Sequence, residues 1–206
     1  VQWDGAEAVT RSTQPSAFYS GHNGVHRVLK TYLLGLLDTR LGDTGRATVR
    51  AAELDSAGRT ADGPPLAREL AQGLQAGIAL ANGRSDSALA DLEALRIEGW
   101  YELTFVSPFY SGATERFTRA ELLREQGRGE EALGWYRGVG QNTTQELVFL
   151  GPAMLAEARI QRALGRPREA ARLYDAFVAL WRECDPDSRS MLDQAIAERT
   201  ALSGRT

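Results

Sequence analysis

The sequence predicts an all-α chain: an α-solenoid of about four helical hairpins closed by a C-terminal capping helix. Three observations predict it. Ala, Leu, Arg and Glu dominate stretches whose apolar residues recur at helical spacing. Val and Thr are dispersed, and no strand-and-hairpin alternation appears. One skeleton, a Gly with an Ala five residues later, occurs four times, at Gly42, Gly83, Gly127 and Gly165. Regular self-similarity on this scale marks a repeat architecture, in which each unit buries its apolar face against its neighbours.

Residues 1–23 carry Trp3, Phe18 and Tyr19 among Ser, Thr, Gly and Gln. They read as an N-terminal arm or the remnant of a preceding repeat; the sharper alternative is an arm that docks on another subunit. The solenoid itself is expected over 24–206. From Val25, Val28, Tyr32, Gly35 and Leu36 share a face through Leu41, and Gly42-Asp43 breaks the helix. A second helix runs from Gly45 to about Ser56 with Ala47, Ala51 and Leu54 inward. Ser56 to Pro65 is a loop, and Pro64-Pro65 opens the next helix, where a missing N–H costs little.

Leu66 to Ala81 and Ser85 to Leu95 form the second pair. Glu98 to Thr114, with Trp100, Tyr101, Phe105, Phe109 and Tyr110, is too aromatic for a solvated linker and is expected to pack as a loop. The third pair lies within Phe117 to Val139. Gly138 to Gly151 connects it to the fourth, Ala153 to Leu164 and Arg168 to Arg182. A capping helix over 186–203 starts with Asp185 as N-cap and Pro186 in its first turn. Met191, Leu192, Ala195, Ile196 and Leu202 should lie on its apolar side, and Gly204 should end it.

Aligning the four glycines tests the repeat column by column. Five residues on are Ala47, Ala88, Ala132 and Ala170; seven before are Gly35, Ala76, Ala120 and Ala158. Small residues facing each other let two helices cross closely. Aliphatics stand five before the glycines, at Leu37, Ile78, Leu122 and Ile160. Two further columns follow them, Ala51, Leu92, Tyr136 and Tyr174 at nine and Leu54, Leu95, Val139 and Phe177 at twelve.

Leu34-Gly35, Ala132 to Tyr136 and Ala170 to Tyr174 together make the chain resemble the tetratricopeptide repeat over roughly Val25 to Arg182. The glycines are 41, 44 and 38 residues apart, against about 34 in that repeat, and the closing Pro is missing. The second half, and Val178 to Pro186 most of all, resembles the C-terminal repeat region of bacterial serine/threonine-kinase-like or transcriptional-regulator proteins. What the tetratricopeptide resemblance implies is a right-handed superhelix whose concave face is built by the first helix of each pair. Tyr32, Leu36 and Arg40 would line it first, then Leu70, Gly73, Gly77 and Leu80. Phe117, Glu121, Arg124 and Glu125 would follow, then Leu155, Arg159 and Arg162. Glu121 and Glu125 interrupt any run of positive charge there.

Composition removes several function classes. A net charge of −3 and a pI near 5.5 give no bulk attraction for nucleic acid or an acidic membrane. Lys30 is the only lysine among 24 basic residues, which reads as coding bias. Cys184, the sole cysteine, precludes an internal disulfide and a Cys-cluster zinc site; it leaves a cytosolic and an exported location both open. No apolar run approaches the ~20 residues that span a bilayer. The start at Val1 without Met reads as a piece of a longer product, with any targeting segment upstream.

Motifs for chemistry are sparse. Gly127-Arg-Gly129 imitates a dinucleotide fingerprint but follows a helix where the fingerprint needs a strand. His22 and His26 are four apart, yet Asn23-Gly24 between them argues against a helix, and no third ligand is evident. Asn142-Thr-Thr144 is a formal glycosylation sequon. Glu121, Glu125, Glu130 and Glu131 pair by spacing with Arg124 and Arg128 as helix surface. With no cofactor or metal expected, the sequence supports a non-enzymatic scaffold for a protein or peptide partner. The alternative is a structural subunit assembling with copies of itself as a homo-oligomer or filament.

Overall fold

The computed structural model describes residues 23–60, 66–96, 112–141 and 144–203, and among these there is no strand. The N-terminal arm, the aromatic connection from residue 97 to 111, the sequon asparagine and Gly204 lie outside the described residues. The chain divides into two compact units, Val1–Trp100 and Tyr101–Thr206. The first holds α1 (Asn23–Arg40), α2 (Thr44–Gly58), α3 (Leu66–Ala81) and α4 (Ser85–Ala94). The second holds α5 (Ala113–Glu125), α6 (Gly129–Arg137), a 3-10 segment (Thr144–Phe149), α7 (Leu150–Ala163), α8 (Pro167–Trp181), a 3-10 turn (Pro186–Ser188) and α9 (Arg189–Ser203). Within each unit every helix packs on the next, and α1 also packs on α3.

Four hairpin turns, α1–α2, α3–α4, α5–α6 and α7–α8, are built alike. Gly42, Gly83, Gly127 and Gly165 all have φ between +71° and +81°, a left-handed conformation that costs a side-chain-bearing residue about 1–2 kcal/mol. At Gly127, its N–H donates to the Arg124 carbonyl (3.0 Å), the Arg128 N–H to Leu123 (2.8 Å), and the Ala132 N–H to Arg128 (3.0 Å). The same bonds recur at the other three turns. The glycine thus closes one helix, and the residue after it opens the next.

The repeat columns are core. All twenty positions of the five columns are buried except Leu37 and Leu95, which are half-buried. The methyls of Ala47, Ala88, Ala132 and Ala170 have no exposure at all. Gly35 is small for a further reason: a Cβ there would stand 2.3 Å from Leu74 of α3 and 3.3 Å from Cβ of Arg50. Its space is shared between its own hairpin and the next one. Gly151 is similar, since a Cβ there would fall 2.1 Å from the Trp181 indole nitrogen.

Several boundaries differ from expectation. The first helix starts at Asn23, so Asn23-Gly24 lies inside its opening turn and His26 is exposed on it. A helix tolerates such residues at an end, where the first N–H groups lack intrahelical partners anyway. The fifth helix begins at Ala113, four residues earlier than the apolar pattern suggested, following Gly112 at φ +63°. The seventh begins at Leu150, with Pro152 in its first turn. Asp185 precedes a 3-10 turn and its side chain makes no capping bond.

The cap helix turns most of its expected apolar side inward, with Met191 and Leu202 also packed against the core of the fourth hairpin. Leu192 and Ala195 are buried as expected, but Ile196 is 44% exposed, while Glu198 and Arg199 face the hairpin. The α7–α8 pair presents a phenol, two guanidiniums and a carboxylate there, and the cap meets them with charge.

Candidate functional site

The expected concave residues divide into two kinds once burial is known. Ten residues before each turn glycine stand Tyr32, Gly73, Phe117 and Leu155; three are buried and Phe117 is half-buried. This column is core, so Tyr32, at 1% exposure, is packing and not a partner contact. Leu70 is core as well. The positions six and three before the glycine carry the accessible face. They are Leu36 and Thr39, Gly77 and Leu80, Glu121 and Arg124, and Arg159 and Arg162, all at least half-exposed or partly buried. Arg40 and Glu125 are exposed at the ends of their helices.

Tyr32, Leu36, Arg40, Leu70, Gly73, Gly77 and Leu80 belong to the first unit, and Phe117, Glu121, Arg124, Glu125, Leu155, Arg159 and Arg162 to the second. In the second unit the structure gathers two clusters. On α5, Arg124 donates to Glu121 at 2.7 Å and lies 3.7 Å from Glu125. The Tyr136 hydroxyl of α6 donates to the other oxygen of Glu121. Burial, reinforced by that carboxylate, pushes the phenol far above its ordinary range, so it stays a neutral donor. Phe117 is held edge-on to Tyr136 at 5.8 Å and stacked on Phe149 at 5.0 Å. Its ring is committed to packing within the hairpin and against its 3-10 neighbour.

The second cluster joins α7, α8 and α9. Glu198 accepts from the Tyr174 hydroxyl at 2.6 Å and from Arg159 at 3.0–3.2 Å, with Arg162 at 3.6 Å. Burial alone would push the Glu198 carboxyl up; the Arg159 and Tyr174 hydrogen bonds and the two guanidinium charges outweigh it and hold it below the usual range. Arg199 makes a two-pronged bond to Asp175 at 2.8 and 3.1 Å. Arg159 and Arg162, expected to face a partner, are therefore engaged by the cap.

Four polar groups were not legible in the sequence. Tyr136 and Tyr174 read as packing, although a buried tyrosine hydroxyl normally finds a partner; that rule was the available signal, and it named no partner. Glu198 lies off the apolar side expected of the cap, and its position along the helix names no partner. Glu146, in the 3-10 segment, has no exposure. It is paired with Arg116 of α5 and accepts the Gly140 N–H at 3.0 Å. No local pattern distinguishes it from a surface glutamate.

The Gly127-Arg-Gly129 stretch joins two helices, and its glycine serves the turn. Among the described residues no helix is long and apolar enough to cross a membrane. A groove of about 530 Å³ lies in the first unit, lined by Asp55, Arg68, Glu69, Gln72, Asp91 and Arg96 among others. Its carboxylates and guanidiniums are mixed, with Asp55 bound to Arg59 at 2.8 Å and Gln72 donating to the Asp91 carbonyl. No family model matches the chain, and no curated protein or solved structure matches it either.

Proposed function

We propose that the chain is a non-enzymatic scaffold of the tetratricopeptide type, docking a peptide or partner protein on the first helices of its hairpins. In this reading the hairpins and cap follow one another as a right-handed α-solenoid. The observation that supports it is the fourfold identity of the hairpin turns, down to the same hydrogen bonds around Gly42, Gly83, Gly127 and Gly165. Such a repeat leaves the chain a surface to present and needs no reacting group. The face offered on α5 is Glu121, Arg124 and Glu125, with side-chain exposures of 31, 35 and 57%.

The test is a photo-crosslinking residue placed at Glu125 in the native host, with Glu53 of the first unit as a control position. A partner captured at 125, not at 53, and lost with Arg124→Glu is the expected result. Equal capture at both positions, or capture indifferent to Arg124→Glu, would sink the α5 face. Catalytic turnover abolished by one charged-residue substitution would overturn the non-enzymatic reading.

The self-assembly reading draws on Leu180 and Ile196, large apolar side chains left 53% and 44% exposed on α8 and α9. Light scattering that finds a strict monomer at high concentration removes it.

A further inference from the structure

The third and fourth hairpins bury a tyrosine at the same repeat position, nine residues after the turn glycine, and satisfy its hydroxyl by different means. Tyr136 takes a carboxylate from its own hairpin, Glu121, six residues before Gly127. At the equivalent position the fourth hairpin has Arg159, and Tyr174 takes Glu198 from the helix that follows. The third hairpin is complete in itself. The fourth is a carboxylate site whose carboxylate is supplied from outside the hairpin, with two guanidiniums and a phenol converging on one acid.

We propose that the Arg159–Arg162–Tyr174 face of the second unit is a docking site for a Glu- or Asp-bearing segment of a partner protein, and that Glu198 of α9 occupies it in the free chain as an internal stand-in. This rests on the scaffold reading and adds to it the chemistry of the partner and a means of control. The grip on α9 is divided along its length. Its first half is fixed by Leu192 and Ala195, buried in a cluster with Leu173, Tyr174 and Phe177. Its second half is held by Leu202, partly buried against the same cluster, and by ion pairs whose side chains keep contact with water: Glu198 is 23% exposed, Arg159 34% and Arg162 42%. Ion pairs at such exposure are weak and screened by salt. The Glu198 side chain can therefore swing off the guanidiniums while Leu192, Ala195 and Leu202 keep α9 seated. A competing carboxylate meets an apparent affinity reduced by the small fraction of open molecules, and weakening the internal contact restores it. The chain carries a net charge of −3, so capture of an acidic segment must come from this local cluster and not from the bulk field.

The experiment uses the full chain and a fluorescent hexaglutamate peptide, amidated at its C-terminus, followed by anisotropy, with hexaglutamine as the uncharged control. Glu198→Ala is expected to tighten hexaglutamate binding at least tenfold and leave hexaglutamine unchanged. Adding Arg159→Ala and Arg162→Ala to it should return binding to the wild-type level. Arg199→Ala loosens the same half of α9 from Asp175 without touching the three site residues, and should shift affinity in the same direction. Unchanged affinity in both Glu198→Ala and Arg199→Ala overturns the proposal, as does a gain that survives loss of both arginines. The measurement is made on purified protein with a defined peptide. It can fail while the partner captured through α5 stands, and the reverse.

Discussion

Removing the Glu146 carboxylate should destabilise the second unit. Glu146 has no exposure and Arg116 only 22%, so the pair was taken out of water when the 3-10 segment folded onto α5. Glu146→Ala takes the buried carboxylate from the guanidinium, which keeps its bond to the Gly112 carbonyl at 3.4 Å, and deprives the Gly140 N–H of its acceptor. Breaking a buried pair from one side costs about 3–5 kcal/mol. The partial exposure of Arg116 lets water reach it and places the expectation near the lower figure, about 3 kcal/mol. With a urea m-value of about 1–3 kcal/mol/M, the midpoint falls by roughly 1–3 M. Urea titration followed by circular dichroism reads this, and hydrogen exchange over α5 and α7 assigns it to the second unit. The pair Arg116→Met with Glu146→Leu should recover most of the loss, because apolar replacement of a whole buried ion pair is often neutral. A loss under about 1 kcal/mol for Glu146→Ala, or a double variant no better than the single one, would refute the reasoning.

Other expectations follow from the same geometry. Gly127→Ala and Gly165→Ala should each cost about 1–2 kcal/mol in thermal melts, whereas Gly134→Ala, exposed within α6 with open space around it, should stabilise by about 0.5–1 kcal/mol. Gly151→Ala should displace Trp181 from its contact and shift tryptophan emission, at a cost of about 1–3 kcal/mol. Glu157 is raised above its ordinary value of 4.5 because burial outweighs the attraction of Arg137 and Arg172. Its stabilising contribution is full below pH 4.5 and is lost as pH rises through the folded value. Glu157→Gln should thus melt higher than wild type at pH 7 and lose that advantage in acid. Glu198 has the opposite sign: its contribution is present above pH 4.5 and disappears as pH falls through its lowered value. Exchange in the second half of α9 should accordingly speed up on acidification in the wild type, and Glu198→Gln should abolish that dependence.

The turns and the columns were legible because each rests on a property of one residue type. Only glycine takes φ near +75° without strain, and only a methyl or a hydrogen permits the closest helix crossings, so Gly127 with Ala120 and Ala132 announces a hairpin locally. Helix starts were less legible. Ala113 begins a helix four residues before the apolar pattern becomes clear at Phe117–Ala120, because glycine and threonine around it carry no periodic signal. The accessible face was half legible. Glu121, Arg124, Arg159 and Arg162 do share the column positions expected to face outward. Tyr32 and Leu155 share a position that points inward, a distinction set by how hairpins lean on each other.

The sequence by itself determined the helical hairpins, their four glycine turns and the small-residue crossings, since these depend on backbone conformation and side-chain size within some twenty residues. The tertiary structure alone decided the polar partnerships. Glu146 reaches Arg116 across thirty residues and Glu198 reaches Arg159 across thirty-nine. A carboxylate looks the same in sequence whether it faces water or a buried phenol, and the choice is made only when distant helices bring a guanidinium or a tyrosine hydroxyl within reach.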